Sequence, residues 1–187
     1  MKDLSIEGLV SQHERELKTR ALDYAEYVLL ICGGILILGF TFMVGLDVAS
    51  RLLKHPLLWL QETIILAFIW GTFLGAAVAL RRGEHFHVVK AADMRSDLVR
   101  NVLEYFNCVV LLIVGGITLY YGYINYEQGY GNHLPVTKWP LASITGSIPV
   151  FGLFAVVFTL ERLIMGWRNG FRHSAEGQSR LDTEAAI

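Results

Sequence analysis

WLQETIILAFIWGTFLGAAVALRRGEHFH, residues 59–87, decides the fold. From Thr63 to Leu80 it carries no charge over 18 residues, long enough to be read as a membrane-spanning helix. Ala67, Gly71, Gly75 and Ala79 recur every four residues and so share one side of that helix. Small residues at this spacing let another helix approach closely, and that is how spans associate where lipid tails remove the hydrophobic incentive. Glu62 stands at the mouth of the apolar segment, and Arg81-Arg82-Gly83 closes it. The stretch predicts a span with one side made for protein contact.

The rest of the chain repeats the pattern. Of 187 residues, 53% are apolar and only four are proline. The apolar residues are gathered into four long runs instead of being scattered at the period of a soluble amphipathic helix. The fold class is therefore an all-α membrane protein with four transmembrane helices. The formal net charge of −1 says nothing about partners, because charge matters here by its distribution between loops. Cys32 and Cys108 lie in separate apolar runs and read as packing residues, with no disulfide or metal implied.

Residues 1–24 form a polar segment of mixed charge. Leu4, Ile6, Leu9, Val10, His13 and Leu17 roughly follow one helical side, which fits an interfacial helix; a solvated tail fits equally well. Lys2, Arg15, Lys18 and Arg20 are offset by Asp3, Glu7, Glu14 and Glu16. That balance is unlike a secretory signal, so the first span is expected to be retained. A transmembrane domain of about 25–165 follows, with spans near 27–46, 57–80, 105–124 and 141–160, and a polar tail at 166–187. Asp47 and Arg51 follow span one at i, i+4 and can pair. Lys54-His55-Pro56 then breaks the helix. Val88, Ala91, Met94, Leu98 and Val102 predict a short amphipathic helix in the connection 81–101. Tyr120, Tyr121, Tyr123, Tyr126 and Tyr130 form an aromatic belt, and Trp139 anchors the next loop. Pro149, near the centre of span four, is expected to kink it and free a carbonyl that a neighbour must satisfy.

Loop charges set the topology. The two terminal segments and the connection 81–101 hold thirteen of the sixteen Lys and Arg; the loops 48–58 and 125–140 share the other three. Positive charge stays cytoplasmic, which puts both termini inside and the two proline-bearing loops outside.

Chemistry-bearing motifs are few. All six histidines lie outside the spans, whereas a membrane cytochrome needs axial histidines within its bundle. Glu84, His85 and His87 could be drawn as a metal cluster, but capping and solvating a helix end is the simpler reading, and no cofactor is expected. Glu62, about one and a half turns inside its helix, is the ionisable group with a functional reading. It is expected to make a polar contact with a basic or hydroxyl group on a neighbouring helix or subunit, at a depth set by Trp59. Glu104 and Glu161 sit at span ends, where hydration is the simpler reading. There is no phosphate loop, no nucleophile elbow, no HExxH and no inverted repeat. An enzyme is not expected, and neither is a self-sufficient transporter.

Asp47-x-x-x-Arg51, Trp59-x-x-Glu62, Gly75-Ala76-Ala77 and Arg81-Arg82-Gly83-x-His85, with Pro140 before the last span and Pro149 within it, resemble the small membrane subunit of tripartite ATP-independent periplasmic (TRAP) transporters. The resemblance covers about residues 25–165 and is densest from Asp47 to Val88. A hydrophobic-acidic pattern often follows the histidine in that family; this chain has Phe86-His87-Val88-Val89-Lys90 instead.

The resemblance implies a scaffold subunit with no catalytic, substrate or metal site of its own. Its implied partners are a large sodium-coupled permease and a periplasmic binding protein that delivers an organic acid, a C4-dicarboxylate by default. Asp47, Arg51, Trp59, Glu62, Gly71, Gly75, Arg82, Gly83, His85 and Pro149 are the residues expected to serve subunit contact or structure. The competing reading is a stand-alone four-helix exporter that couples transport to protons through Glu62.

Overall fold

The computed structural model of the chain describes residues 19–82 and 97–169. These residues form four long helices and one short one: α1 Arg20–Leu52, α2 Leu58–Arg82, α3 Asp97–Gly129, α4 Ala142–Thr145 and α5 Ser147–Asn169. Among the described residues, four segments are long and apolar enough to cross a membrane: Leu22–Leu52, Leu58–Arg82, Val102–Gly129 and Ala142–Trp167. The helices run further than the apolar runs. α1 and α3 have 33 residues each, about 50 Å, against a hydrocarbon core of roughly 30 Å. Extending an existing helix by a polar turn adds a hydrogen bond for each residue fixed, so helix ends outrun hydropathy. Three expectations lie outside the described residues: the N-terminal segment 1–18, most of the amphipathic connection, and the polar tail.

α1 stops where the sequence places the break, by a specific device. His55 N–H donates to Ser50 O and Lys54 N–H to Arg51 O, both at 3.0 Å. Lys54 takes the left-handed conformation with φ 60°. This is a Schellman termination with lysine where glycine is usual.

The long helices pack chiefly as α1 on α2, α2 on α5 and α5 on α3. The inner pair is accordingly more covered: 28% of the apolar window of α2 and of α5 is buried, against 11% for α1 and α3. Leu29, Leu74, Ala77, Val78, Leu80, Ala155 and Phe158 form the core where α1, α2 and α5 meet.

Glycines bring the outer helices in. Gly33 of α1 lies over Leu74 and Gly75 of α2, and a Cβ on Gly71 would come within 2.9 Å of the Ile37 side chain. The contact of α3 with α4 and α5 is tighter. A Cβ on Gly122 would lie 2.9 Å from Pro149 N, one on Gly129 2.7 Å from Ala142 N, and one on Gly152 2.6 Å from Leu119 N. Gly115, Gly122 and Gly129 are seven apart, as are their antiparallel counterparts Val156, Pro149 and Ala142. A seven-residue repeat keeps one side of a helix against its neighbour, and backbones this close gain van der Waals contact that lipid cannot supply.

Pro149 does not kink the middle of a span. The interruption falls one turn earlier, at Gly146 between α4 and α5, and Pro149 sits in the first turn of α5. The physical reason is that a proline ring excludes the hydrogen bond to the carbonyl four residues back, here Thr145, while its missing N–H costs nothing in a first turn. Side chains serve carbonyls at the break: Trp70 Nε1 donates to Ser143 O at 2.7 Å and Ser147 Oγ to Ile144 O at 2.8 Å.

Candidate functional site

Polar chemistry gathers at the two ends of α2. At its C-terminal end the Arg81 guanidinium is buried among three carboxylates from two other helices. Nη1 donates to Glu26 Oε2 at 2.6 Å, Nη2 to Asp23 Oδ1 at 2.9 Å, and Nε to Glu161 Oε2 at 3.1 Å. Nη2 also reaches Glu161 Oε1 and the Thr19 carbonyl, each at 3.2 Å. Thr19 returns the contact, its backbone N–H and its hydroxyl both donating to Glu161 Oε1. Arg82 Nε binds the remaining oxygen of Glu26 at 3.1 Å. The guanidinium carbon lies 5.4 Å from the centre of the Phe158 ring.

The side chains of Arg81 and Glu26 are 1% and 0% exposed. Charges so far from water persist only when paired and hydrogen-bonded on most of their polar atoms, and arginine's planar fork can serve several carboxylates at once. The hub ties the first turns of α1, the last turn of α2 and the C-terminal half of α5 into one unit. Nearby, Arg162 of α5 reaches Glu104 of α3 at 3.2 Å. The hydrated reading of Glu104 and Glu161 is thereby corrected: both are ion-paired, and Glu161 is buried.

At the other end of α2, Glu62 closes a latch on the loop between α3 and α4. Its Oε1 accepts from Val136 N–H at 2.8 Å, and its Oε2 from Thr137 N–H at 2.8 Å and the Thr137 hydroxyl at 2.6 Å. The loop is pre-shaped for this. Leu134 N–H donates to Trp139 O and Leu141 N–H to Asn132 O, both at 2.8 Å, around a bridge between His133 and Pro140. Lys138 makes the turn with φ 61°. The hydroxyl partner expected of Glu62 is Thr137, in the same chain, with two backbone amides beside it.

The other candidate residues are dispersed. Arg51 Nε donates to Asp47 Oδ2 at 3.0 Å on the exposed end of α1. Trp59 is exposed one turn before Glu62. Gly71 faces Ile37, whereas a Cβ on Gly75 would meet nothing within 4 Å. A four-residue step turns about 40° on a helix, so the row of small residues winds away from α1 and only Ala67 and Gly71 are buried against protein. Arg82 joins the hub; Gly83, His85 and the cluster of Glu84, His85 and His87 lie outside the described residues.

Sequence reasoning missed the hub, although part of it was within reach. α1 and α2 are antiparallel neighbours across a five-residue connection, which sets Arg81 opposite the first turns of α1, where Asp23 and Glu26 stand three apart on one side. Glu161 had no such signal, because nothing in the order of the helices says that α5 packs on α2.

A third feature lies between α2 and α3, over the interrupted turn: a cavity of about 470 Å³ with Trp70, Tyr123, Tyr126, Tyr130, Ser143 and Pro149 on its walls. The Tyr126 and Tyr130 hydroxyls share a hydrogen bond of 2.5 Å, and their rings meet edge to face. That hydrogen bond raises the Tyr130 phenol above its ordinary range, so it stays neutral.

Two comparisons bear on this arrangement. The family described as tripartite ATP-independent periplasmic transporters, DctQ component, matches residues 40–169, which include Glu62, Arg81 and Glu161 but not Asp23 or Glu26. The sialic acid TRAP transporter small permease protein SiaQ of Vibrio cholerae is 26% identical over 121 residues, covering 62% of this chain and 70% of that relative.

Proposed function

The chain belongs to the DctQ component family of tripartite ATP-independent periplasmic transporters, and on that premise we propose that it acts as the fixed scaffold against which a large permease works. It is a small permease subunit, a multi-pass membrane protein and not an enzyme. A tripartite transporter implies two further components, a large permease and a periplasmic binding protein.

The observation that carries the scaffold reading is where the charged groups are engaged. Among the described residues the buried charges are Asp23, Glu26, Arg81 and Glu161, and each of the three carboxylates is bonded to Arg81. Glu62 is bound to its own loop. Groups held this way brace helices; a proton-coupled exporter needs a carboxylate that alternates between partners. The family match replaces that exporter reading.

In the proposed arrangement both termini and the Arg81 hub face the cytoplasm of a bacterial cell, and the Glu62 latch faces the periplasm, as the loop charges favour. The large permease holds the sodium and substrate sites. The substrate is an organic acid, a class that includes the sialic acid in the name of the Vibrio cholerae relative; C4-dicarboxylates and other carboxylates belong to the same class.

Reconstitution tests the proposal. Uptake into liposomes should require this chain, its large permease, the binding protein and a sodium gradient, and should not require ATP. Robust transport by this chain alone would overturn the scaffold reading.

A further inference from the structure

We propose that the aromatic cavity between α2 and α3 is a binding site for a zwitterionic phospholipid, with the ammonium end of its headgroup seated among the rings of Trp70, Tyr123, Tyr126 and Tyr130. The cavity reaches from Trp70, midway along α2, to Tyr130, just past the end of α3. Tyr123 and Tyr130, 59% and 56% exposed, form its rim. It therefore opens sideways from a candidate span, where lipid is the surrounding medium.

Its chemistry selects within the lipids. Among the described residues, no side chain lining it carries a formal charge. An anionic headgroup would find no counter-charge in a site of low dielectric. An ammonium finds four aromatic side chains on the walls, the residue type whose electron-rich faces recognise alkylammonium groups without a carboxylate. The Trp70 N–H is already bonded to Ser143 O, so that donor is engaged within the protein. The paired hydroxyls of Tyr126 and Tyr130 can turn a donor toward phosphate or ester oxygens. At about 470 Å³ the space suits a headgroup and the top of a chain. It equals roughly one turn of a side-chain-bearing helix, little room for a crossing helix of a partner.

The test is native mass spectrometry of the full-length chain released from detergent after equilibration with phosphatidylethanolamine or phosphatidylglycerol. Phosphatidylethanolamine should be retained in preference. Val150→Trp, which fills the cavity, and Tyr130→Leu, which removes a rim ring, should each lower its retention roughly three- to tenfold. Phosphatidylglycerol retention and the thermal melting point should not move. Tyr130 lies beyond α3, so its variant decides the matter where Val150→Trp fails to fold. Equal retention of the two lipids, or adducts unchanged in both variants, would overturn the proposal. So would loss of co-purification with the large permease in Val150→Trp while phosphatidylethanolamine retention stays the same, since the cavity would then be a protein contact.

Discussion

Arg81 and Glu161, eighty positions apart, meet through two hydrogen bonds of 3.1 and 3.2 Å while both side chains are at most 3% exposed. The pair binds the end of α2 to α5, and Asp23 and Glu26 extend the tie to α1. Removing one member of such a group strands the others. Arg81→Met is expected to cost about 3–5 kcal/mol, because three carboxylates lose their common partner. Glu161→Gln should cost less, about 1–2 kcal/mol, since an amide oxygen still accepts from Arg81 or Thr19. Denaturant titration in detergent micelles, followed by circular dichroism, gives both values; equal losses would contradict the hub.

Glu62 holds two consecutive backbone amides, so its loss has a local signature. In Glu62→Ala, amide exchange at Val136 and Thr137 should accelerate while the cores of α2 and α5 keep their protection. Glu62→Gln should accelerate it no more than Glu62→Ala, since an amide keeps one accepting oxygen. Hydrogen exchange read by mass spectrometry separates these outcomes from a global loss of structure.

The glycines divide into those that face protein and those that do not. Gly122→Leu and Gly152→Leu should push α3 off α5 and lower stability by about 1–3 kcal/mol or more. Gly116→Leu, where a Cβ would meet nothing within 4 Å, should be tolerated. Gly75→Leu is the informative case. It should leave the isolated chain as stable as before, yet weaken co-purification with the large permease if the open end of the small-residue row is a subunit contact. Unchanged co-purification would leave Gly75 facing lipid.

Topology is open to direct measurement. Reporter fusions after Ala92 and after Ile187 should read cytoplasmic, and one near Asn132 should read periplasmic. A periplasmic signal at Ala92 would reverse the orientation and place the Arg81 hub on the outer side.

The sequence by itself determined the class of the fold and its four spans, because a membrane makes apolar length the condition for crossing and hydropathy is a local property. It also determined where α1 stops and that Asp47 can meet Arg51, since both depend on residues within a turn of one another. Glu62 stood out because a carboxylate beside an uncharged run needs a partner. The tertiary structure alone decided what that partner is, a loop more than seventy residues away. It alone decided that Glu161 is buried and not hydrated, since a span-end carboxylate looks the same whether water or an arginine lies opposite. The heptad of Gly115, Gly122 and Gly129 was present in the sequence, but a glycine spacing acquires meaning only once a facing helix is known. Helix order along the chain is local; which helix lies against which is not, and every contact that joins α2 to α5 depends on that second fact.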